Sequence, residues 1–169
     1  MRASVVACVY AVVVGGFVSA AASNQSPVGP STRDIDREVW SVFVATVAAD
    51  DIVGMGNVYL PNAVLVAPGS TTPIKQTIER WGRDMVTAKA RGSRATVEFR
   101  FSRRLDDPTT AFDAGIFKYT VIDKSGVSSP KFYPFEELLV KTEGKWRVSM
   151  ERQFAEVTQS EWDKLPATR

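Results

Sequence analysis

"NVYLPNAVLVAPGS", residues 57–70, sets a Tyr-Leu-Pro-Asn turn ahead of an unbroken apolar run and stops on Pro-Gly-Ser. Pro61 presets the backbone angle for the second position of a turn and Asn62 tolerates the third, so a strand is expected over 63–67. A strand with one wet face alternates polar and apolar residues; this one does not. The run therefore implies burial on both faces, or one face in the core and the other in a cavity or subunit contact.

Upstream of this strand the spacing is helical. Ile35, Val39, Val42, Phe43, Thr46 and Val47 recur at intervals of three and four, with Asp34 or Thr32 available as a cap. A second, short helix over 51–58 puts Ile52, Met55, Val58 and Tyr59 on one side, weakened by Gly54 and Gly56. Downstream, Thr72-Pro73 resembles a helix start; Ile74, Ile78, Trp81, Met85 and Ala88 follow at helical spacing until Arg91-Gly92 closes the helix.

From Arg94 the period falls to two. Val97, Phe99 and Phe101 alternate with Glu98, Arg100 and Ser102; the chain turns at 106–109 and returns over 111–122 with Asp113, Gly115, Phe117 and Tyr119 on one face. After a turn at 123–126 comes a strand over 132–141, a turn at 142–145, and a last strand with Trp146, Val148, Met150 and Arg152 on one side. Thr158-Gln159-Ser160-Glu161 has the form of a capping box opening a short helix through Leu165. The order is helix, helix, strand, helix, then four antiparallel strands joined by hairpins: an α+β domain whose sheet curls around the helices.

The chain has 169 residues, 44% of them hydrophobic, enough for one domain with a real core. Its 21 Lys plus Arg against 19 Asp plus Glu leave a formal charge of +2, too slight for a nucleic-acid binder. There is no histidine, which excludes Ser-His-Asp and Cys-His catalysis and histidine-ligated zinc or iron. Proton chemistry is left to carboxylates, tyrosines, lysines or water, and neither a metal nor a cofactor is implied.

Arg2, the apolar stretch 5–18 and the small residues 19–23 read as a signal peptide spanning 1–22, so the chain is expected to be exported to a periplasm or secreted. The stretch is shorter than the ~20 residues a membrane span needs and Gly15-Gly16 interrupts it, so no stable membrane anchor is expected after processing. Cys8, the only cysteine, lies within it, which leaves the mature chain without thiol or disulfide. Residues 23–32 read as a flexible lead-in and 33–169 as the single folded domain.

These pieces carry a resemblance. Ala49-Asp50-Asp51, the stretch 59–69, Ile78-x-x-Trp81 and Gly144-Lys145-Trp146-Arg147-Val148, in that order and spacing, resemble the nuclear transport factor 2-like superfamily over residues 34–153. The branch they look most like is the SnoaL-like, ketosteroid-isomerase-homologue group of unknown function. The resemblance implies a cone-shaped, strongly curved antiparallel sheet wrapped around N-terminal helices (a cystatin-like roll), with an apolar pocket at its open end and pairing into homodimers through the sheet. Relatives include isomerases, cyclases, dehydratases, epoxide hydrolases and domains that only bind or assemble, so the fold does not select a function.

The isomerase chemistry needs an aspartate base, a tyrosine and a protonated carboxylic acid. Matched onto this chain, the base falls on Ala67 and the tyrosine on Phe43, neither of which can serve; only the acid keeps an occupant, Glu136 or Glu137. That mechanism is not expected here. What is expected is a binding site for a small apolar or amphipathic molecule, lined by Trp40, Phe43, Tyr59, Trp81, Phe117, Tyr119, Glu137, Met150 and Arg152. The rival is a carboxylate-driven enzyme of the cyclase, dehydratase or hydrolase kind, with Asp113 as base and Tyr59 or Tyr119 as donor. Asp113 shares its face with aromatics, which would raise its pKa; equally, it could pair with an arginine on the adjacent strand. Arg152 could hold an anionic group at the pocket mouth or form a salt bridge on the rim.

Overall fold

The computed structural model of the protein describes Gly29 and residues 31–167; the expected signal peptide over 1–22 and most of the lead-in lie outside the described residues. The chain is already anchored two residues before Arg33. The Ser31 amide donates to Asp106 Oδ2 at 2.6 Å, and both Ser31 and Thr32 are buried.

The first helix runs as α1 (Thr32–Ile35), a π-helical segment (Asp36–Trp40) and α2 (Ser41–Ala49). The π segment is where this helix meets the sheet: Asp36 binds Arg104, Glu38 accepts the Trp146 amide at 2.9 Å, and Trp40 reaches Asp113. Asp50, in left-handed conformation, ends α2. Asp51 then caps α3 (Ile52–Gly56) by accepting from the Gly54 amide. The amphipathic α4 (Ile74–Ala90) follows Pro73 and stops where Gly92 adopts positive φ and the Ser93 and Gly92 amides close on Ala88 and Lys89.

The strands are β1 (Tyr59–Ala67), β2 (Ser70–Pro73), β3 (Arg94–Asp106), β4 (Thr110–Ile122), β5 (Ser128–Thr142) and β6 (Lys145–Gln153). They form one curved, unclosed sheet in the order β2-β1-β6-β5-β4-β3. Two features depart from expectation. Pro61 and Asn62 lie inside β1 rather than in a turn, where the pairing with β6 is broken between Tyr59 and Val64; a residue without an N–H is tolerated at such an irregularity. The sheet is also mixed rather than purely antiparallel, because β1 runs parallel to β6 and reverses into β2, a strand absent from the sequence reading.

The other hairpins follow their turn chemistry. Asp107 accepts the Thr109 and Thr110 amides at 2.7 Å each, Asp123 accepts those of Ser125 and Val127, and Glu143-Gly144, both at positive φ, make a two-residue loop. Register breaks in β3, between Phe101 and Arg103, and in β6, between Val148 and Met150, bend the sheet. Gly115 sits against the first: a Cβ there would lie 2.0 Å from the Arg100 carbonyl oxygen, so only glycine permits that approach.

The concave face holds the main core, with Ile35, Val39, Phe135, Leu139, Trp146 and Val148 almost wholly buried. Ala63 and Leu65 of the opening run belong to the buried core, whereas Val64 and Val66 are half-buried. A second cluster covers part of the outer face, where Trp162 of α5 (Gln159–Asp163) packs on Ile116 and Phe132 under the Arg100 guanidinium. Thr158 is the N-cap of α5, but its side chain makes no capping hydrogen bond; the packing of Trp162 holds the helix instead.

Candidate functional site

Inward-facing residues of β3 to β6 enclose, with α2 and α4, a cavity of about 510 Å³. That size suits a small molecule. Its walls are apolar and aromatic: Phe43 and Val47 from α2, Trp81 and Met85 from α4, Phe99 and Phe117 from the sheet. Its deep end is polar. Tyr59, Glu137, Glu151 and Gln153 all line it, brought together by strand register.

Three carboxyl groups stand on one rung of the sheet. Asp113 on β4 pairs across to Glu137 on β5, which pairs across to Glu151 on β6. All three are buried. The first is fully engaged: Arg104 Nε and Nη2 donate to Asp113 at 3.0 and 2.9 Å, and Trp40 Nε1 donates at 2.8 Å. Burial raises the Asp113 pKa, while Arg104 and Trp40 pull against it. Glu151 accepts the Tyr59 hydroxyl at 2.5 Å on one oxygen and Gln153 Nε2 at 2.6 Å on the other.

Glu137 is different. Its Oε2 is buried and has no hydrogen-bond partner, and no cation reaches it among the described residues. Burial, then the Glu151 and Asp113 carboxylates, push its pKa well above the usual 4.5. Glu151 is raised too, by burial, against the lowering effect of its two hydrogen bonds. Tyr59 is held well above 10.0 by burial and by both glutamates, so the phenol keeps its proton. This end of the cavity thus holds two buried acids, Glu151 hydrogen-bonded on both oxygens and Glu137 without a partner on Oε2, beside a phenol.

Of the residues singled out from sequence, Phe43, Tyr59, Trp81, Phe117, Tyr119 and Glu137 line the cavity. Trp40 and Asp113 sit behind its wall, bonded to each other. Of the two roles open to Asp113, the geometry has the ion pair with an arginine on the adjacent strand. Met150 and Arg152 face the other side, opposite Leu138 and Glu136, and Arg152 forms an exposed pair with Glu136 at 3.4 Å. Their misplacement has a physical cause. Ser149 is an extra residue in β6, so the alternation begun by Trp146 and Val148 flips and continues inward with Glu151 and Gln153. The Ser149 hydroxyl donates to the Leu138 carbonyl at 3.0 Å and holds the bulge. Glu151 and Gln153 were missed for this reason; the only sequence trace is the polar pair itself, two residues apart. Ala67 lies at the end of β1 beside Ser70, away from the cavity lining.

No protein-family model and no curated protein matches the chain. Solved structures do. A Xanthomonas campestris protein named for a calcium/calmodulin dependent protein kinase II association domain superposes with a TM-score of 0.57 at 24% identity, over 76% of this chain and 90% of that one. A ketosteroid isomerase-like protein from Erwinia carotovora atroseptica gives 0.57 at 16%, over 77% and 98%. An NTF-2-like protein of unknown function from Shewanella oneidensis gives 0.60 at 14%, over 73% and 98%. The fold is nuclear transport factor 2-like. At these identities the likeness establishes the nuclear transport factor 2-like architecture and leaves the chemistry to this chain's own residues. Among those described, no group of three or more His, Cys, Asp or Glu is arranged to hold a metal, and no helix is long and apolar enough to cross a membrane.

Proposed function

We propose that the protein is an exported, homodimeric binding protein for a small apolar or amphipathic molecule. The observation that carries this reading is the 510 Å³ cavity, with aromatic walls and one polar end where the Glu137 Oε2 lacks a partner. Apolar walls supply affinity through burial, and a few convergent polar groups orient the ligand. Export rests on the amino-terminal pattern.

A neutral environment-sensitive dye, N-phenyl-1-naphthylamine, tests the binding. Fluorescence titration is expected to give saturable binding that falls at least tenfold in Ala95→Trp, where the indole fills the cavity that Ala95 lines. Equal binding by that variant, with its melting temperature kept, would place the dye elsewhere and remove the reading.

Pairing is supported by an apolar rung on the outer face, Leu105 opposite Phe112, Phe112 opposite Leu138 and Leu138 opposite Met150. Leu105 and Leu138 are 47% and 44% exposed there. Light scattering at ~10 µM is expected to give twice the chain mass, reduced to one chain in Leu138→Asp; a monomeric parent protein would end this part.

The same unpartnered carboxyl favours a second reading, acid–base catalysis by Glu137 with Tyr59 and Glu151 alongside. On that reading Glu137→Gln abolishes turnover of a substrate yet keeps dye binding; retained turnover would eliminate it.

A further inference from the structure

The hydrogen-bond inventory at the deep end of the cavity is one-sided. Its two donor groups already serve Glu151: the Tyr59 hydroxyl and one N–H of Gln153 Nε2 both point at that carboxyl. The Glu137 Oε2 is left buried without a partner and accepts once the carboxyl ionises. The charge inventory leans the same way. Asp50, Asp84, Glu137 and Glu151 line the cavity against one cation, Arg94. The rings of Phe43, Phe99, Phe117, Tyr119 and Trp81 present π faces or edges to the space between.

A carboxylate or phosphate ligand would bring its negative charge next to two buried acids and so oppose their ionisation, in a region where such repulsion is poorly screened. A protonated amine does the opposite. We infer that the ligand is an organic amine with an apolar or aromatic body, its ammonium donating to Glu137 Oε2 and lying beside the Glu151 carboxyl. This rests on the binding reading above and narrows it to a ligand class.

Proton exchange accompanies such binding. Glu137 is flanked on its rung by Asp113 from β4 and Glu151 from β6, with Tyr59 from β1 bonded to Glu151; Tyr119 of β4, Tyr133 of β5, Arg94 of β3, Asp50 at the end of α2 and Asp84 of α4 line the same cavity. Burial holds the protons of Glu137 and Glu151 above the ordinary carboxyl range, so these two gain charge as pH rises, whereas an alkylammonium keeps its proton. Amine affinity should therefore rise with pH, with proton release into the buffer on binding.

Three probes with one skeleton separate the possibilities: 4-phenylbutylamine, 4-phenyl-1-butanol and 4-phenylbutyrate, titrated calorimetrically into the full chain at pH 7. The amine is expected to bind at least tenfold tighter than the alcohol and the acid, and Glu137→Gln should erase that advantage while keeping a cooperative melting transition at pH 7. Repeating the amine titration in buffers of different ionisation enthalpy should reveal the released proton. An alcohol that binds as tightly as the amine, or an amine advantage that survives in Glu137→Gln, overturns the amine inference and leaves the cavity reading intact. Dye binding with none of the three probes bound overturns it likewise. Failure of the dye and of all three probes removes both.

Discussion

Replacing Arg104 with methionine is expected to lower folding stability by about 3–5 kcal/mol, the range for stranding one member of a buried ion pair. The reason lies in its partner. The Asp113 side chain is 2% exposed and the Arg104 side chain 17%, and the guanidinium meets the carboxylate with two nitrogens while its third reaches Asp36 at 2.7 Å. It also lies over the Phe101 ring at 4.2 Å. Methionine keeps much of that packing but leaves Asp113 with only the Trp40 donor. Urea unfolding of the single variant and of Arg104→Met/Asp113→Leu measures the effect: the double variant should recover most of the loss, because removing both charges abolishes the desolvation penalty. A single-variant loss under about 1 kcal/mol would show that the pair is solvated and contributes little.

The second large effect concerns Glu137 and has a defined sign with pH. Its folded-state pKa lies above the ordinary value of 4.5, so the folded chain holds this proton more tightly than the unfolded chain. The resulting stabilisation is full below the ordinary value and is lost as pH rises through the folded one. Glu151 and Asp113, also raised, add slopes of the same sign. Glu137→Gln deletes only the first. At pH 8 the variant is expected to be more stable than the parent by roughly 1–3 kcal/mol, the usual size for relieving an unsatisfied buried group, and the two should converge near pH 4.5. Melting temperatures of both proteins from pH 4.5 to 8 decide this; parallel curves would mean that Glu137 ionises freely and is not buried in solution.

These two carboxylates show how differently neighbours on one rung can behave. Asp113 was conspicuous in the sequence as a lone acid among Gly115, Phe117 and Tyr119, yet its surroundings complete an ion pair behind the cavity wall. Glu137 looked like one of two adjacent acids on a hairpin, and nothing local distinguished it from Glu136, which is partly exposed and paired with Arg152. The difference is set by strand parity relative to a concave face, a property of the sheet as a whole.

Elements and their order were legible because burial imprints its period on the chain, 3.6 residues in α4 and two in β3 and β4, and because Gly92, Asp107, Asp123 and Gly144 mark ends and turns by their own backbone preferences. The absence of histidine by itself limits the chemistry. What the tertiary structure alone decided is which residues of β6 look inward. The two-residue loop at Glu143-Gly144 pairs Thr142 with Lys145, and counting back along both strands would set Glu137 opposite Met150. One extra residue, Ser149, replaces that thioether with the carboxyl of Glu151 and creates the acid pair. A bulge relieves curvature imposed by distant strands and helices, so its position is a non-local quantity that residue spacing along one strand does not contain.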